Sequence, residues 1–564
     1  MTQSATTVDA SRAAESSAHR SPDALAKRVL IIGLDGATWD VLKPMMAAGK
    51  MPRLAALLAR GSWGVLESTK PPITPAAWTT FMTGKNPGAH GVIDFERYDV
   101  RTGELSFNTT LSIDHVRTIW QILGEKGLRV GCVNIPMTYP PPRVNGFVIS
   151  GFETPSTAAE FTWPPELKAD ILARWPDYSY RTSWRRKPLG GTKIFAENLA
   201  LISHSFAQGA DITEYCGEKY GWDVLMVVFK LVDNLQHKAW KYLDPRTRER
   251  HPKRAAMVAD CFAALDVAIG RLAEYAERRD AHVLMMSDHG HGSLEGKVQP
   301  NLLLREWGYL ALREGGAQAQ TRANHLLYRL FRKRKGGRYA QGTFSIEHDL
   351  AVDLARTKAC VMHAGMYGFL YVNLKGRQPG GIVEAADYEP LRDELRERLL
   401  ATRCTDPSGK TVPTFWDVLK PELLYGCLRQ DREWLPDLML VPHESLSVVR
   451  KIRGRAAVRW LPERRIEGTH RPDGIVAAIG AGVKCSDCVR ISIVDCAPTL
   501  LAMLGVPVYA DMEGRVADEL FVHPMQHVTQ TARFETSGRS PETAYNSDQL
   551  REVTRRLSDL GYLD

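Results

Sequence analysis

The sequence lacks several features that would assign it to a special class of protein. Among its 564 residues, no apolar run approaches the roughly 18 that a membrane-spanning helix needs. Residues 1–26 are polar and rich in Ser and Ala, with no apolar core of a secretion signal, and we expect a disordered tail there. The nine cysteines are an odd number and are scattered along the chain. These absences predict a cytoplasmic protein with reduced thiols.

The excess of positive over negative charge is also small. The net charge of +8 is too small for this length to indicate a nucleic-acid-binding protein, so no nucleic-acid partner is expected. A single Cys485-x-x-Cys488 pair has no second pair with which to form a structural zinc site. The basic stretch 325–335 allows a solvated loop, a helix at a membrane surface or a clamp for an anionic substrate. We favour the loop over peripheral membrane contact and over the clamp.

Buried strands that alternate with helical patterns dominate the rest of the sequence. Continuous apolar runs, typical of strands covered on both faces, occur at 28–34, 223–229 and 282–286. Further strands are predicted at 130–134, 146–150, 368–372, 438–441 and 474–479, with helices at 39–60 (broken at Pro52), 255–278 and 388–401. This alternation predicts an α/β fold with a doubly wound, mostly parallel sheet.

The domain prediction follows from where that rhythm is interrupted. We predict a catalytic domain over 27–521, with cap insertions at about 155–218 and 305–417 that lack the rhythm of buried strands. Within the second insertion only 368–372 has a clear strand pattern. Residues 522–564 are predicted to form a linker and a C-terminal helix.

Three of the buried strands are each followed by an aspartate: Asp35, Asp233 and Asp288. Ligands of open α/β sheets bind outside the carboxyl ends of the strands, and a cation would relieve the mutual repulsion of acidic side chains gathered there. His237 follows Asp233 at helical spacing and His289 follows Asp288 directly. A turn or capping role would explain one aspartate alone, but two Asp/His pairs after two buried strands favour metal ligands, for which zinc is suited.

Thr74 and Pro75 have the pattern of a helix start, with Thr74 as the N-cap, and Gly84 marks the end of that helix. Capping alone would explain this pattern. The functional alternative is a phosphate-binding helix N-terminus at which the Thr74 hydroxyl is a nucleophile activated by a metal.

These motifs together resemble the alkaline phosphatase superfamily, and within it the type I phosphodiesterase / nucleotide pyrophosphatase family. The resemblance extends from about Arg28 to Val516, and its motifs occur in the family's order. The matching segments are Leu34-Asp35-Gly36, Thr74 to Gly91, Asp233-x-x-x-His237, Ser287-Asp288-His289-Gly290 and Gly468-Thr469-His470.

The resemblance implies two divalent metal ions, with zinc expected. One would be bound by Asp233, His237 and His470, and the other by Asp35, Thr74, Asp288 and His289. Only the resemblance selects His470, which we expect in a polar loop before the strand at 474–479. It also gives Thr74 the role of nucleophile, through a phospho-threonine intermediate that water hydrolyses.

The implied activity is hydrolysis of phosphodiester or pyrophosphate bonds in a small phosphorylated substrate, such as a nucleotide. The sequence departs from the family pattern at Arg471-Pro472-Asp473, at Pro75-Ala76 and at His291, which leaves the substrate open. A phosphomonoesterase, a phosphonate hydrolase and a phosphoryl-transferase remain alternatives, as does a non-catalytic binding protein, against which the complete ligand set argues.

Overall fold

The computed structural model describes residues 24–180, 184, 191–313, 344–345, 350, 352–429, 433–531 and 544–560. Most of the predicted N-terminal tail, and all of the basic stretch 325–335, lie outside the described residues. The chain divides into two compact units. Unit 1 comprises residues 1–92, 109–291 and 470–544, and unit 2 comprises residues 93–108, 292–469 and 545–564.

Unit 1 is built on a nine-stranded mixed sheet, which confirms the predicted fold class. Its strands are β1 (Arg28–Gly33), β2 (Gly61–Glu67), β3 (Val130–Ile135), β4 (Gly146–Ser150), β5 (Thr162–Trp163), β6 (Val224–Val228), β7 (Ala281–Met286), β8 (Asp473–Ile479) and β9 (Ser486–Ser492). The spatial order is β9-β2-β8-β7-β1-β6-β3-β4-β5. The five central strands from β7 to β4 are parallel, whereas β8 runs antiparallel to both of its neighbours.

Register aligns the ends of the three central strands. Gly33, the last residue of β1, is paired with Val228 of β6 on one side and with Met286 of β7 on the other. All three strands are buried because apolar side chains cover both faces of the sheet. The segments that follow these strands therefore leave the sheet side by side, at the same edge.

Helices of unit 1 pack around the sheet through apolar faces. The longest are Gly191–Tyr220 and Pro252–Arg278, which pack against each other. The other helices are Trp39–Ala47, Pro52–Leu58, Thr74–Thr83, Pro87–His90, Ile119–Glu125, Leu167–Arg174, Leu231–Ala239, Pro245–Arg248 and Cys496–Met503. None of the helices among the described residues has an apolar stretch long enough to cross a bilayer.

Unit 2 has a second core built on a four-stranded antiparallel sheet. In spatial order its strands are Ala359–Ala364, Gly368–Val372, Leu438–Pro442 and Phe415–Leu419. Smaller sheets contain Gly296–Val298 with Leu446–Val448 and Val458–Trp460, Glu96–Asp99 with Glu104–Phe107 and Phe344–Ser345, and Arg403–Thr405 with Thr411–Pro413. Its helices are Pro300–Glu306, Ala385–Ala401, Pro421–Tyr425 and Ser547–Leu560.

Several local predictions were wrong. The second predicted insertion holds strands besides 368–372, among them Ala359–Ala364, whose pattern of six buried residues includes Cys360 and His363 and so escaped a search for apolar runs. His470 lies in a strand, Glu467–Arg471, and not in a loop, because this strand pairs with Gly290–Leu294. Thr74 is the first residue of its helix and Ile73 is the N-cap, without a capping side chain.

A buried charged triad lies in unit 2. The His363 ring bonds through Nε2 to Asp94 Oδ2 at 2.8 Å and lies with Nδ1 3.2 Å from Glu96 Oε2. Burial lowers the pKa of His363, but the two carboxylates outweigh it and raise that pKa to about 10. The imidazolium is therefore the charged partner that lets the Asp94 carboxylate remain buried and the Glu96 carboxylate remain partly buried.

Candidate metal centre

The metal-ligating side chains predicted after the central strands lie together in unit 1. Asp35 lies two residues after the end of β1, and Asp288 and His289 follow β7. Asp233 and His237 lie one turn apart on the helix Leu231–Ala239 that follows β6. Asp35, Asp233, Asp288 and His289 have no solvent exposure. The shared register of the three strands explains why residues so distant in sequence share one site.

One cluster forms around a single carboxylate oxygen. Asp233 Oδ1 lies 3.2 Å from His237 Nε2 and 3.4 Å from His470 Nε2. A third imidazole, His291, has its Nε2 3.4 Å from the same oxygen. These four side chains could hold one metal ion, since their ligand atoms all lie within 4.8 Å of one another. Carboxylate and imidazole donors of this kind suit zinc.

A second cluster shares Asp233 with the first. Asp35, Asp233 and His289 place their ligand atoms within 4.8 Å of one another. His289 Nε2 lies 3.4 Å from Asp288 Oδ2 and 3.4 Å from the Thr74 hydroxyl. All residues of the implied ligand set are thus in or beside the two clusters, although Asp288 and Thr74 are not members of either compact group.

Backbone carbonyls fix the orientation of three of the imidazoles. His289 Nδ1 donates to Gly290 O at 3.0 Å, His291 Nδ1 to Gly36 O at 2.9 Å and His470 Nδ1 to Pro72 O at 2.9 Å. A carbonyl oxygen can only accept, so each Nδ1 carries the proton and each Nε2 has a lone pair. All three Nε2 atoms face the clusters, which is the arrangement in which metal-binding histidines are normally held.

Electrostatics also fits a cation. Burial, together with Asp288, raises the pKa of Asp35 to about 7, and burial raises that of Asp288 to about 7. Burial also disfavours the charged form of Asp233, but Lys230 and His237 outweigh it and keep its pKa well below its usual value. Burial lowers the pKa values of the histidines His289, His291 and His470, which keeps these rings neutral, the form that binds metal.

Two buried polar atoms support the same conclusion. Asp288 Oδ2 and His291 Nε2 have no hydrogen-bond partner among the described residues. Buried polar atoms normally have partners, and an orphaned atom in a native site points to an ion or water. The donor set therefore fits the divalent metal ions that the family resemblance implies.

The sequence interpretation missed three residues of this site. His291 was treated only as a departure from the family pattern, although its place two residues after His289 is the spacing at which side chains of an extended segment share a face. Lys230 contacts Asp233 and lies 3.4 Å from Asp35. Gln236 donates to Gly36 O at 2.6 Å. No motif marked these two residues. Gln236 acts through a tertiary contact, and Lys230 pairs with Asp233 three residues further on but also reaches Asp35, which is distant in sequence.

Position 36 requires glycine because of its backbone conformation and the nearby His291 ring. Its φ is +68°, and a Cβ atom there would lie 2.8 Å from the His291 ring. Any larger residue would displace the imidazole that faces Asp233.

The fold and the site together define a member of the alkaline phosphatase superfamily. A sequence profile of the type I phosphodiesterase / nucleotide pyrophosphatase family matches residues 29–473, and the chain belongs to this family of phosphoric-ester hydrolases. A search of curated protein sequences finds no match.

A solved structure agrees with the fold. Phosphonoacetate hydrolase from Sinorhizobium meliloti 1021, in complex with phosphonoacetate, is 16% identical over 84% of this chain and 95% of that one, with a TM-score of 0.52. Human ectonucleotide pyrophosphatase / phosphodiesterase 5 is 13% identical over 88% of this chain and 100% of that one, with a TM-score of 0.47.

Proposed function

We propose that the protein is a zinc-dependent hydrolase of phosphodiester or pyrophosphate bonds, with Thr74 as the nucleophile. The observation that carries this proposal is the position of the Thr74 hydroxyl. It is fully buried at the start of a helix and lies 3.4 Å from the Nε2 atom of His289, a member of the second ligand cluster. A hydroxyl in such a place is suited to attack a phosphate that the same site binds.

Other threonines of this helix support the choice of Thr74. The Thr80 hydroxyl bonds to His90 Nε2 at 2.9 Å, and the Thr83 hydroxyl donates to Thr79 O at 2.8 Å. The Thr79 hydroxyl is buried and has no hydrogen-bond partner in the described part of the chain, and so none among the proposed ligands. Thr74 is therefore the threonine of this helix that we assign to the reaction.

The chain's own residues would act in two steps. Thr74 Oγ attacks phosphorus, the bond from phosphorus to the leaving oxygen breaks, and the proton of the Thr74 hydroxyl passes to the alcohol or phosphate that leaves. The remaining phosphoryl group stays on Thr74 as a phospho-threonine. Water then cleaves the phospho-threonine and restores the hydroxyl. The positive end of the helix Thr74–Thr83 faces the side on which phosphate charge would be bound. Two metal ions held by the Asp and His clusters would supply Lewis acidity that neutralises the phosphate oxygens.

An assay of four substrates in parallel tests the activity. Protein loaded with zinc is given a nitrophenyl nucleotide diester, bis-nitrophenyl phosphate, nitrophenyl phosphate and nitrophenyl sulfate. We expect the two diesters to be cleaved fastest. A preference for nitrophenyl phosphate would instead make the protein a phosphomonoesterase, and transfer of phosphate to an added alcohol would make it a phosphoryl-transferase.

A trapping experiment tests the intermediate. Wild-type protein is quenched at low pH during turnover of a radioactively phosphorylated substrate. We expect label on the wild-type protein and none on the Thr74→Ala variant. Turnover without label, at a rate that Thr74→Ala does not change, would remove the covalent step and leave a two-metal hydrolase.

A further inference from the structure

A basic pocket lies in unit 2, and the proposed function does not use it. Its lining consists of Lys297, Gln299, Val449, Lys451, Arg453 and Arg459. Four of these six side chains are cationic and none is acidic. The cavity measures about 40 Å³, whereas a single water needs roughly 10–15 Å³. The pocket is therefore large enough for a tetrahedral oxyanion.

The sheet itself brings two of the cations together. Lys297 on the strand Gly296–Val298 is paired directly with Arg459 on the antiparallel strand Val458–Trp460. Like charges at directly opposed positions of a sheet repel and destabilise it. No carboxylate among the described residues forms an ion pair with Lys297 or Arg459 that would offset this cost. A bound anion would offset the repulsion between the two cations.

Gln299 makes the pocket a defined structure. Its side chain is buried, and its Nε2 donates to Arg453 O at 3.0 Å and to Ala456 O at 2.8 Å. Its Oε1 accepts from Arg453 N at 2.5 Å. These three hydrogen bonds fasten the loop that carries Arg453 to the strand that carries Lys297. The cations are thus held around one cavity by a buried polar side chain.

The surroundings indicate the class of ligand. None of the large exposed apolar side chains of the described residues lies between 446 and 460, which disfavours insertion into a membrane. What remains is concentrated positive charge around a small cavity, which favours phosphate groups.

We propose that this pocket binds a small, multiply charged phosphate anion, either inorganic pyrophosphate or the phosphate groups of a nucleotide. Lys297 and Arg459 would hold it from the sheet, and Lys451 and Arg453 from the adjoining segment. The proposal does not depend on the activity of unit 1.

Calorimetric titration of the full chain, with its metals bound, tests the pocket with inorganic pyrophosphate as the probe. The Thr74→Ala background prevents turnover during the titration. The test variant carries Lys297→Gln and Arg459→Gln. The control carries Arg403→Gln and Lys410→Gln, which removes the same charge from exposed positions of another small sheet in unit 2.

We expect the test variant to lose one equivalent of pyrophosphate, or to bind it at least tenfold more weakly, while the control retains it. If neither variant lost pyrophosphate binding, the proposal would be overturned. Equal loss in both would overturn it as well, because the binding would then reflect net charge alone. If unit 1 bound no metal at all, the pocket would still bind its equivalent, so failure of the proposed function would be seen separately.

Two further measurements complete the test. ADP should bind the pocket as pyrophosphate does, whereas binding of ADP without binding of pyrophosphate would overturn the assignment of a phosphate site. The test variant should unfold at a temperature no lower than the control, because the substitutions remove the repulsion between Lys297 and Arg459. A folded variant that still bound pyrophosphate normally would refute the proposal.

Discussion

His291 offers the sharpest test of the metal centre, because the family resemblance did not select it. Its Nδ1 donates to Gly36 O, and its Nε2 lies 3.4 Å from Asp233 Oδ1 without a hydrogen-bond partner among the described residues. We expect this imidazole to be a fourth protein ligand of the metal bound by Asp233. The perturbation is His291→Phe, which keeps an aromatic ring at 6.1 Å from the Trp240 ring and removes the ligand nitrogen.

The size of the effect follows from the number of ligands. Structural zinc sites with four ligands bind with roughly 10–16 kcal/mol, so one ligand accounts for roughly 2.5–4 kcal/mol if the contributions are equal. Each 1.4 kcal/mol is about a factor of ten, which predicts metal binding weaker by roughly two to three orders of magnitude. The fold should tolerate the change, because Gly36 O still accepts a hydrogen bond from Gln236 Nε2 at 2.6 Å.

Competition against a chromophoric chelator measures the affinity, and the absorption spectrum of the cobalt-substituted protein reports the coordination directly. The matched control is Gln236→Leu, which removes the other hydrogen bond to Gly36 O and leaves every imidazole in place. If His291 acted only by holding that carbonyl, both variants would weaken metal binding alike. Unchanged affinity and an unchanged cobalt spectrum in His291→Phe would refute the reasoning.

Three other outcomes are expected. Thr74→Ala should lower turnover by at least about a thousandfold and retain metal. Thr74→Ser should keep part of the activity, and the control Thr79→Val should match wild type in steady-state kinetics. Asp35→Ala should lose one metal per chain in elemental analysis after dialysis, and its activity should fall by orders of magnitude; active wild-type protein without metal would contradict the whole site. His363 has a pKa raised to about 10 in the folded chain, so its stabilisation is complete below about 6.5 and is lost as pH rises through 10. The unfolding temperature of wild type should therefore fall between pH 7 and 10, and that of His363→Gln should fall less.

Much of the scaffold could be predicted because it depends on local pattern. The buried strands β1, β6 and β7 are continuous apolar runs, and an acidic residue at or shortly after the end of each is visible in the sequence. The helical spacing of Asp233 and His237 was equally visible, and both lie on the helix Leu231–Ala239. To predict these features, only the periodicity of strands and helices was needed, with the rule that ligands of open α/β sheets bind at the carboxyl ends of the strands.

What could not be predicted depends on long-range packing. His470 is brought to Asp233 by a strand more than 200 residues further along the chain, and no local pattern marks it. The exact start of the helix depends on whether the Thr74 side chain caps the helix or contacts another residue. A threonine before proline suits an N-cap when only the local sequence is considered. Its hydroxyl instead lies beside His289, which only the folded site makes visible.

Lys230 supplies positive charge to the buried aspartates of the site. Three buried aspartates would repel one another strongly, yet Lys230 contacts Asp233 and lies 3.4 Å from Asp35. Protonation of Asp35 or Asp288, each with a pKa raised to about 7, removes further negative charge. Metal binding must then displace protons and compete with the lysine for the same two carboxylates. The affinity for metal should therefore rise with pH around neutrality, while the apolar strands beneath the site hold the sheet together independently of the metals.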